Sequence, residues 1–508
     1  MKKTPIVIGL LMLVSAIFAQ SVEQSKLKVK FGPKFEMKKT HPHQKFIGNP
    51  IDGIVNLGGD INSLSIHGLG TDGTVKSSEY IETKTLGTDA YALSAYKIGD
   101  KYFWFYNTTE KKGPSVLHAV EIDTKTGKRG ATKDIVSKND VTGQLLGVYG
   151  WYDRYVIRTS EDSSKVLVAY RKVQKSSDDK VNYDEIGFIV YDSKFNQLWA
   201  KEVKMPYTEV IMDNEDVMVD NAGNAYLLAK VYPSDRREEK TKDDKPAYRY
   251  ELMRISETST SIKKTVIKAE DKFISSIDMV EQADGGFLFF GAYSNYPNKN
   301  TAHGVYVVKL DKDGNLKGGK TNYDYPQTVL DLNSSISHAK DVYFIKFRKA
   351  ILHNDGSMLL VAEGYDTRSN GNSTVTYYGD IYLTKLGADG EMEWCKGIRK
   401  YQLGSAYTEN FGVGAAVAEN GSYYIFYTDV EGNFTKSPTD KRENVSGWGG
   451  WIVYNKIKPD GTMTKEKVWE YRDKLTRVDP TEMRQYGNTV MIHGFIDDTQ
   501  RLVLLELE

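Results

Sequence analysis

The feature that most constrains the fold is a phrase repeated down the chain: an apolar run, a tight Asp-Gly-type turn, and a second short run. It reads GVYVVKLDKDGNL at residues 304–316, DIYLTKLGADGEMEW at 380–394, WIVYNKIKPDGTM at 451–463, IGFIVYDSKFNQLW at 186–199 and SLSIHGLGTDGTV at 63–75. Each copy is a β-hairpin signature, because Gly or Asn at the turn supplies the positive φ that a two-residue reversal needs. A second series of turns alternates with the first, at Gly99-Asp100, Asp162-Ser163, Ala222-Gly223, Asp284-Gly285, Asp355-Gly356, Asn420-Gly421 and Gly487-Asn488. Its members recur at spacings of roughly 60–70 residues, a period that signals a propeller or an array. Each is followed by an apolar strand such as GGFLFFGAY or GSYYIFYTD.

The order within a unit is therefore strand a, tight turn, strand b, long loop, strand c, tight turn, strand d. Four antiparallel strands repeated in this way describe an all-β protein, a β-propeller of about seven four-stranded blades. Each terminus offers an incomplete unit, and counting both separately gives eight. Pairing of an N-terminal strand with the last unit is expected to close the ring and remove an exposed sheet edge. The first unit shows a c-like run at 61–69 and a d-like run at 74–81, and the d-like run is the expected donor.

Composition bounds the function. The 508 residues carry 68 basic and 68 acidic side chains, a balance that argues against a nucleic-acid partner. The 34 tyrosines suit half-buried sheet surfaces. Lys2 and Lys3 followed by the apolar run 6–18 read as an export signal peptide spanning 1–20. No later segment approaches the length of a transmembrane helix. Export to the periplasm, the cell surface or the medium is expected. Cys395 is the single cysteine, so no disulfide forms within the chain. Residues 21–45, rich in lysine, read as a basic flexible arm, and 46–508 as one propeller domain.

Function is expected on one rim. The a–b and c–d turns are short, whereas the b–c connections at 171–185, 232–248, 294–302, 366–376 and 430–447 are long and share a rim around the channel. Long loops on a rigid scaffold are the usual place for binding. Trp448, Trp451, Tyr365, Tyr293 and Tyr232 are the candidate binding residues, suited to a protein anchor or a sugar ring. The 430–447 loop is expected to be dispensable for folding. Asp311 and Asp313 are closely spaced carboxylates that can ligate calcium, although the distal Glu of an EF-hand is missing. No other cofactor is expected. The sequence holds no HExxH, GxSxG, P-loop or helix-opening GxGxxG, so catalysis is not expected. The competing reading is a polysaccharide-binding or polysaccharide-cleaving propeller with carboxylates such as Glu209, Asp213 and Asp278 at the channel mouth.

The apolar strand, D-x-D-G or A-D-G turn and short Trp-bearing strand (Trp199, Trp394, Trp469) resemble the blade hairpin of secreted bacterial β-propeller repeat proteins. The resemblance covers roughly residues 60–508 and implies the architecture. The class includes scaffolds, binders and enzymes, so it implies no single function. The Asp-rich turn is complete in one blade, a departure from relatives whose turns bind calcium.

Overall fold

The computed structural model describes residues 22–508 apart from 37–42, 61, 88, 111–112, 144, 147–153, 175–177, 268–269, 283, 298–299, 320, 333–341, 344, 371–372, 406–410, 438–439, 446–448 and 497–498. The segment 1–20, expected to be a signal peptide, lies outside the described residues.

The second strand of most units is apolar without alternation. Ala225–Val231, Phe287–Ser294 and Tyr423–Asp429 are buried at every position. A strand with one face in water alternates, so a strand buried throughout has protein on both faces. Outer strands differ: Lys128–Lys138 is exposed over most of its length. Sheets of this kind must stack face to face, and the ring that results is a propeller of eight blades. Eight apolar clusters account for the eight contacts between consecutive blades.

The first strand of each blade lies innermost. In order these strands are His43–Asn49, Tyr91–Ile98, Val156–Thr159, Met212–Val219, Phe273–Glu281, Ile345–Leu352 and Gly414–Val417, with Arg477–Val478 and Arg484–Tyr486 sharing the place in blade 8. Side chains cross between neighbours around the channel. Lys45 Nζ donates to the Ala95 carbonyl at 2.8 Å, Arg158 pairs with Asp216 at 2.9 Å, and Lys349 Nζ donates to the Ala415 carbonyl at 2.8 Å.

Ring closure follows the expected principle with a different donor. Val75–Glu82 is the outer strand of blade 1 itself, paired to Ser63–Leu69. The last blade, built on Thr489–Ile496 and Thr499–Glu506, takes its outer strand from Lys28–Phe31, with Lys28 opposite Glu506 and Phe31 opposite Val503. Phe35–Glu36 prolongs that edge, and Glu23–Gln24 runs parallel to the outer strand Met463–Glu470 of blade 7. The segment read as a flexible basic arm thus pairs as edge strands over much of 22–36. Val29 and Phe31 turn inward, and Phe31 meets Trp469 edge-on at 5.1 Å. Lys28 and Lys30 turn outward, where lysines on an edge strand discourage pairing with another chain. Because this segment completes the last blade, and His43–Asn49 and Gly53–Asp60 complete the first, the count is eight.

Closure predicts a two-face asymmetry. Replacing both Val29 and Phe31 by Asp is expected to cost about 2–4 kcal/mol in urea unfolding, from lost apolar burial and two stranded charges. Replacing Lys28 and Lys30 by Asp should change the unfolding free energy by less than about 0.5 kcal/mol. Equal losses from the two pairs would show that the strand does not seal the ring.

Candidate functional site

Blade 6 departs most from its neighbours. Its central strands, Met358–Asn370 and Ser373–Leu386, are the two longest in the molecule among the described residues. The inner strand begins at Ile345, opposite Gly364. The central pair continues beyond that level, with Tyr365 opposite Tyr378 and Arg368 opposite Val375. The run TVTYYG is β-branched and aromatic, which favours strand over loop. Gln402–Ser405 pairs with 375–378 and makes the projection three-stranded. The region expected to be a loop at 366–376 is therefore mostly ladder, and Thr367, Arg368, Ser369 and Thr374 near its tip are exposed.

A charged network lies under the projection. Glu363 is completely buried. Its two oxygens accept from Lys400 Nζ at 2.6 Å and Arg348 Nε at 2.5 Å. Gln402 Oε1 accepts from Lys400 Nζ at 3.0 Å and from the Gly412 amide at 2.9 Å, while its amide donates to the Thr428 carbonyl of blade 7 at 2.8 Å. One carboxylate thus holds two cations, and one guanidinium nitrogen of Arg348, Nη2, is buried without a partner. Burial pushes the Lys400 ammonium below its ordinary range, and the Glu363 carboxylate opposes that shift. Removing one member of such a network strands a buried charge, so it fixes the base of the projection.

Tyr365 belongs to this assembly. Its ring lies 4.8 Å from both Lys346 Nζ and the Arg348 guanidinium and edge-on to Tyr378 at 5.3 Å. Tyr378 in turn meets Phe411 at 5.8 Å. Cations over aromatic faces hold both partners when water is excluded.

The long connection of blade 7 is stitched down. Phe434 is buried against Trp451, centroids 6.2 Å apart. Asn433 Nδ2 donates to Asp429 Oδ1 at 2.7 Å, and its Oδ1 accepts from the Glu443 amide at 2.7 Å. Asn444 Oδ1 accepts from the Leu403 amide at 2.8 Å, tying the connection to the blade 6 projection. These contacts correct the expectation that 430–447 can be shortened freely, because trimming it would strip a core aromatic and several main-chain partners. Trp451 opens strand Trp451–Ile457, is half-buried, and carries Lys467 Nζ 4.6 Å from its ring. Trp448 lies outside the described residues.

Tyr232 and Tyr293 lie in the core between blades 4 and 5. Tyr232 carries the Arg237 guanidinium 4.3 Å from its ring centre, and the Tyr293 hydroxyl bonds Asp324. Their burial leaves no open face for a partner. Asp311 is engaged by its own turn: its carboxylate accepts from the amides of Asp313 at 2.9 Å and Asn315 at 2.8 Å and from Asn315 Nδ2 at 3.0 Å. These bonds hold the Asp311 carboxyl below its usual range. The Asp192 turn has the same bonds from the Lys194 and Asn196 amides. Among the described residues no group of three or more His, Cys, Asp or Glu gathers as a metal site.

The three channel-mouth carboxylates do not form one group. Glu209 pairs with Arg171 at 2.9 Å, and Asp213 pairs with Arg237. Asp278 projects from the inner strand of blade 5, open to channel water yet enclosed by protein. Burial, with the Asp216 charge adding to it, pushes its carboxyl up to about 6. A raised acid of this kind costs stability above its folded pKa, and the cost fades as the pH falls toward the unfolded value. Asp278→Asn is therefore expected to raise the melting temperature by about 1–3 °C at pH 8, with the gain shrinking through pH 6 and vanishing near pH 4. A gain that grows on acidification would contradict this.

No family description and no curated protein matches the chain. Among solved structures it is similar to the WD40 domain of SCAP from fission yeast, at 9% identity over 94% of this chain and 98% of that one, with a TM-score of 0.37. It is also similar to the apocarotenoid oxygenase of Synechocystis, at 9% identity over 72% and 76%, TM-score 0.36. A further likeness is to prolyl oligopeptidase B from Galerina marginata, at 9% identity over 94% of this chain and 56% of that one, TM-score 0.39. These likenesses are too distant to carry an argument, and the fold rests on the strand pairing.

Proposed function

We propose that this propeller is an exported, non-catalytic binding protein that engages a macromolecular partner in the cell envelope or outside the cell through the b–c rim of blades 6 and 7. The observation that carries the reading is the three-stranded projection of blade 6. It stands above the ring with an exposed tip, and its base is held by the Glu363–Lys400–Arg348 network and by the blade 7 connection. A projection held this way presents its tip at low ordering cost, the property that favours binding over mobile loops. The lysine-flanked apolar leader supports export. Among the described residues no helix is long and apolar enough to cross a membrane.

A protein partner is the first choice, since the described aromatics of the rim are packed into the scaffold rather than laid open as stacking platforms for sugars. The polysaccharide reading is favoured by one observation, the raised carboxyl of Asp278 beside Asp216. It predicts turnover of an envelope glycan that Asp278→Asn abolishes.

The direct test replaces residues 368–375 by Asn-Gly, which closes the hairpin above the Thr367–Thr376 pair with a two-residue turn. The melting temperature should change by less than about 3 °C. Recovery of a defined protein from envelope extract by residues 21–508 should fall about tenfold, a loss of roughly 1.4 kcal/mol. Equal recovery by the trimmed protein would exclude the projection as the binding element.

A further inference from the structure

The charges that line the channel are unevenly distributed. Blades 4 and 5 contribute Asp216 and Asp278, Asp216 paired with Arg158 of blade 3 and Asp278 facing Lys346 of blade 6. On the opposite side, blades 6, 8 and 1 contribute Lys349, Arg484 and Lys45 from their inner strands. Register puts all three near mid-height: Lys349 opposite Val361, Arg484 opposite Met491, and Lys45 opposite Leu57. Blade 7 sets only Gly414–Val417 between blades 6 and 8, a strand without a charged side chain.

These cations lack acidic partners in proportion. Arg484 reaches Glu482 at 4.0 Å, the loose limit of an ion pair. Lys45 and Lys349 have no ion pair among the described residues, and each ammonium donates to a main-chain carbonyl of the next blade, that of Ala95 or Ala415, at 2.8 Å. The groups facing Lys45 are Arg484, which repels it, Glu482, which attracts it, and the Tyr96 ring of blade 2 at 5.7 Å. Arg484 also acts on Lys349 and pushes its ammonium down, after burial. Three like charges share one enclosed wall; Glu482 offsets part of the Arg484 charge at Lys45, and Asp479 on the same blade 8 segment is pushed up to about 7 by burial, so the repulsion raises the energy of the unliganded ring. Low-dielectric walls concentrate that field inside the channel.

From this arrangement we infer that the channel wall formed by blades 6, 8 and 1 is a binding site for a polyvalent oxyanion, a phosphate or a clustered carboxylate. Lys349 and Lys45 keep one ammonium hydrogen on the wall and retain others to give to the ligand, and the Arg484 guanidinium provides planar donors that match either oxyanion. The two sources share this chemistry, and the ligands used below separate them. The site is remote from the projecting tip of blade 6 and does not depend on the proposed rim function.

The test uses the full mature chain, residues 21–508, titrated with inorganic phosphate, with citrate, and with sodium chloride at matched ionic strength. Thermal melting and isothermal titration calorimetry are the readouts. Phosphate or citrate should raise the melting temperature by several degrees beyond chloride, and whichever does so more strongly identifies the source chemistry. Lys349→Gln and Arg484→Gln should each weaken the affinity at least tenfold. Both should melt no lower than the parent without anion, because each relieves repulsion, whereas Lys28→Gln on the outer edge should leave binding unchanged. Affinity should also fall as the pH rises through about 8, where Lys45 loses its proton in the free ring. Stabilisation no greater than that by chloride, or affinity that survives both substitutions, would overturn the assignment.

Discussion

The structure depends on one constraint: each blade has two apolar faces, and only a closed ring covers them all. Strands such as Phe287–Ser294 carry no polar face to turn to solvent. An array left open would expose two such faces at its ends. The contact between blades 8 and 1, where Phe46, Ile54 and Leu69 meet Met491, Leu502 and Leu504, is therefore required by the other seven. The hydrogen bonds of Lys28–Phe31 along Thr499–Glu506 hold it shut from outside. A four-residue strand near the N-terminus thus carries a load set by the whole ring.

Closure also shapes where function can sit. A sealed ring fixes the heights of its strands, so an element that rises above the rim rises by extra register alone. Blade 6 does this, and the fully buried Glu363 with its two cations shows how the rise is secured. The desolvation cost of such a network is offset in part by mutual attraction and by the hydrogen bonds of Gln402, while Arg348 Nη2 stays without a hydrogen-bond partner. Inside the ring the logic is opposite: the inner strands of blades 6, 8 and 1 bring cations together without enough carboxylate to balance them. The chain as a whole is neutral, so this imbalance is local and positional.

Sequence reading recovers the architecture because its signals are local and repeated. Asp-Gly-type turns and two-face apolar strands each announce themselves within ten residues, and about seven copies reinforce one another. The ends are harder. KVKF at 28–31 is too short for periodicity to register, and GIVNLGGD at 53–60 is so glycine-rich that the first unit shows no convincing a–b hairpin. The site is harder still, since Arg348, Glu363, Lys400 and Gln402 come from separate elements and look like ordinary solvated residues. One signal was present: Glu363 interrupts the apolar run MLLVAEGY, and a lone acid in a strand buried on both faces needs a partner. Tyr232 and Tyr293 erred the other way, because strand-end aromatics read as rim residues while the neighbouring blade covers them.

Amide hydrogen exchange on residues 21–508 tests the central claim most directly. If the N-terminal strand seals an eight-blade ring, the amides of Lys28–Phe31 that pair with Thr499–Glu506 exchange only through global unfolding, at the same rate as their partners. Exchange of the 28–31 amides within seconds, while Thr499–Glu506 stays protected, would mean that the segment is the flexible arm its composition suggests and that the ring closes without it.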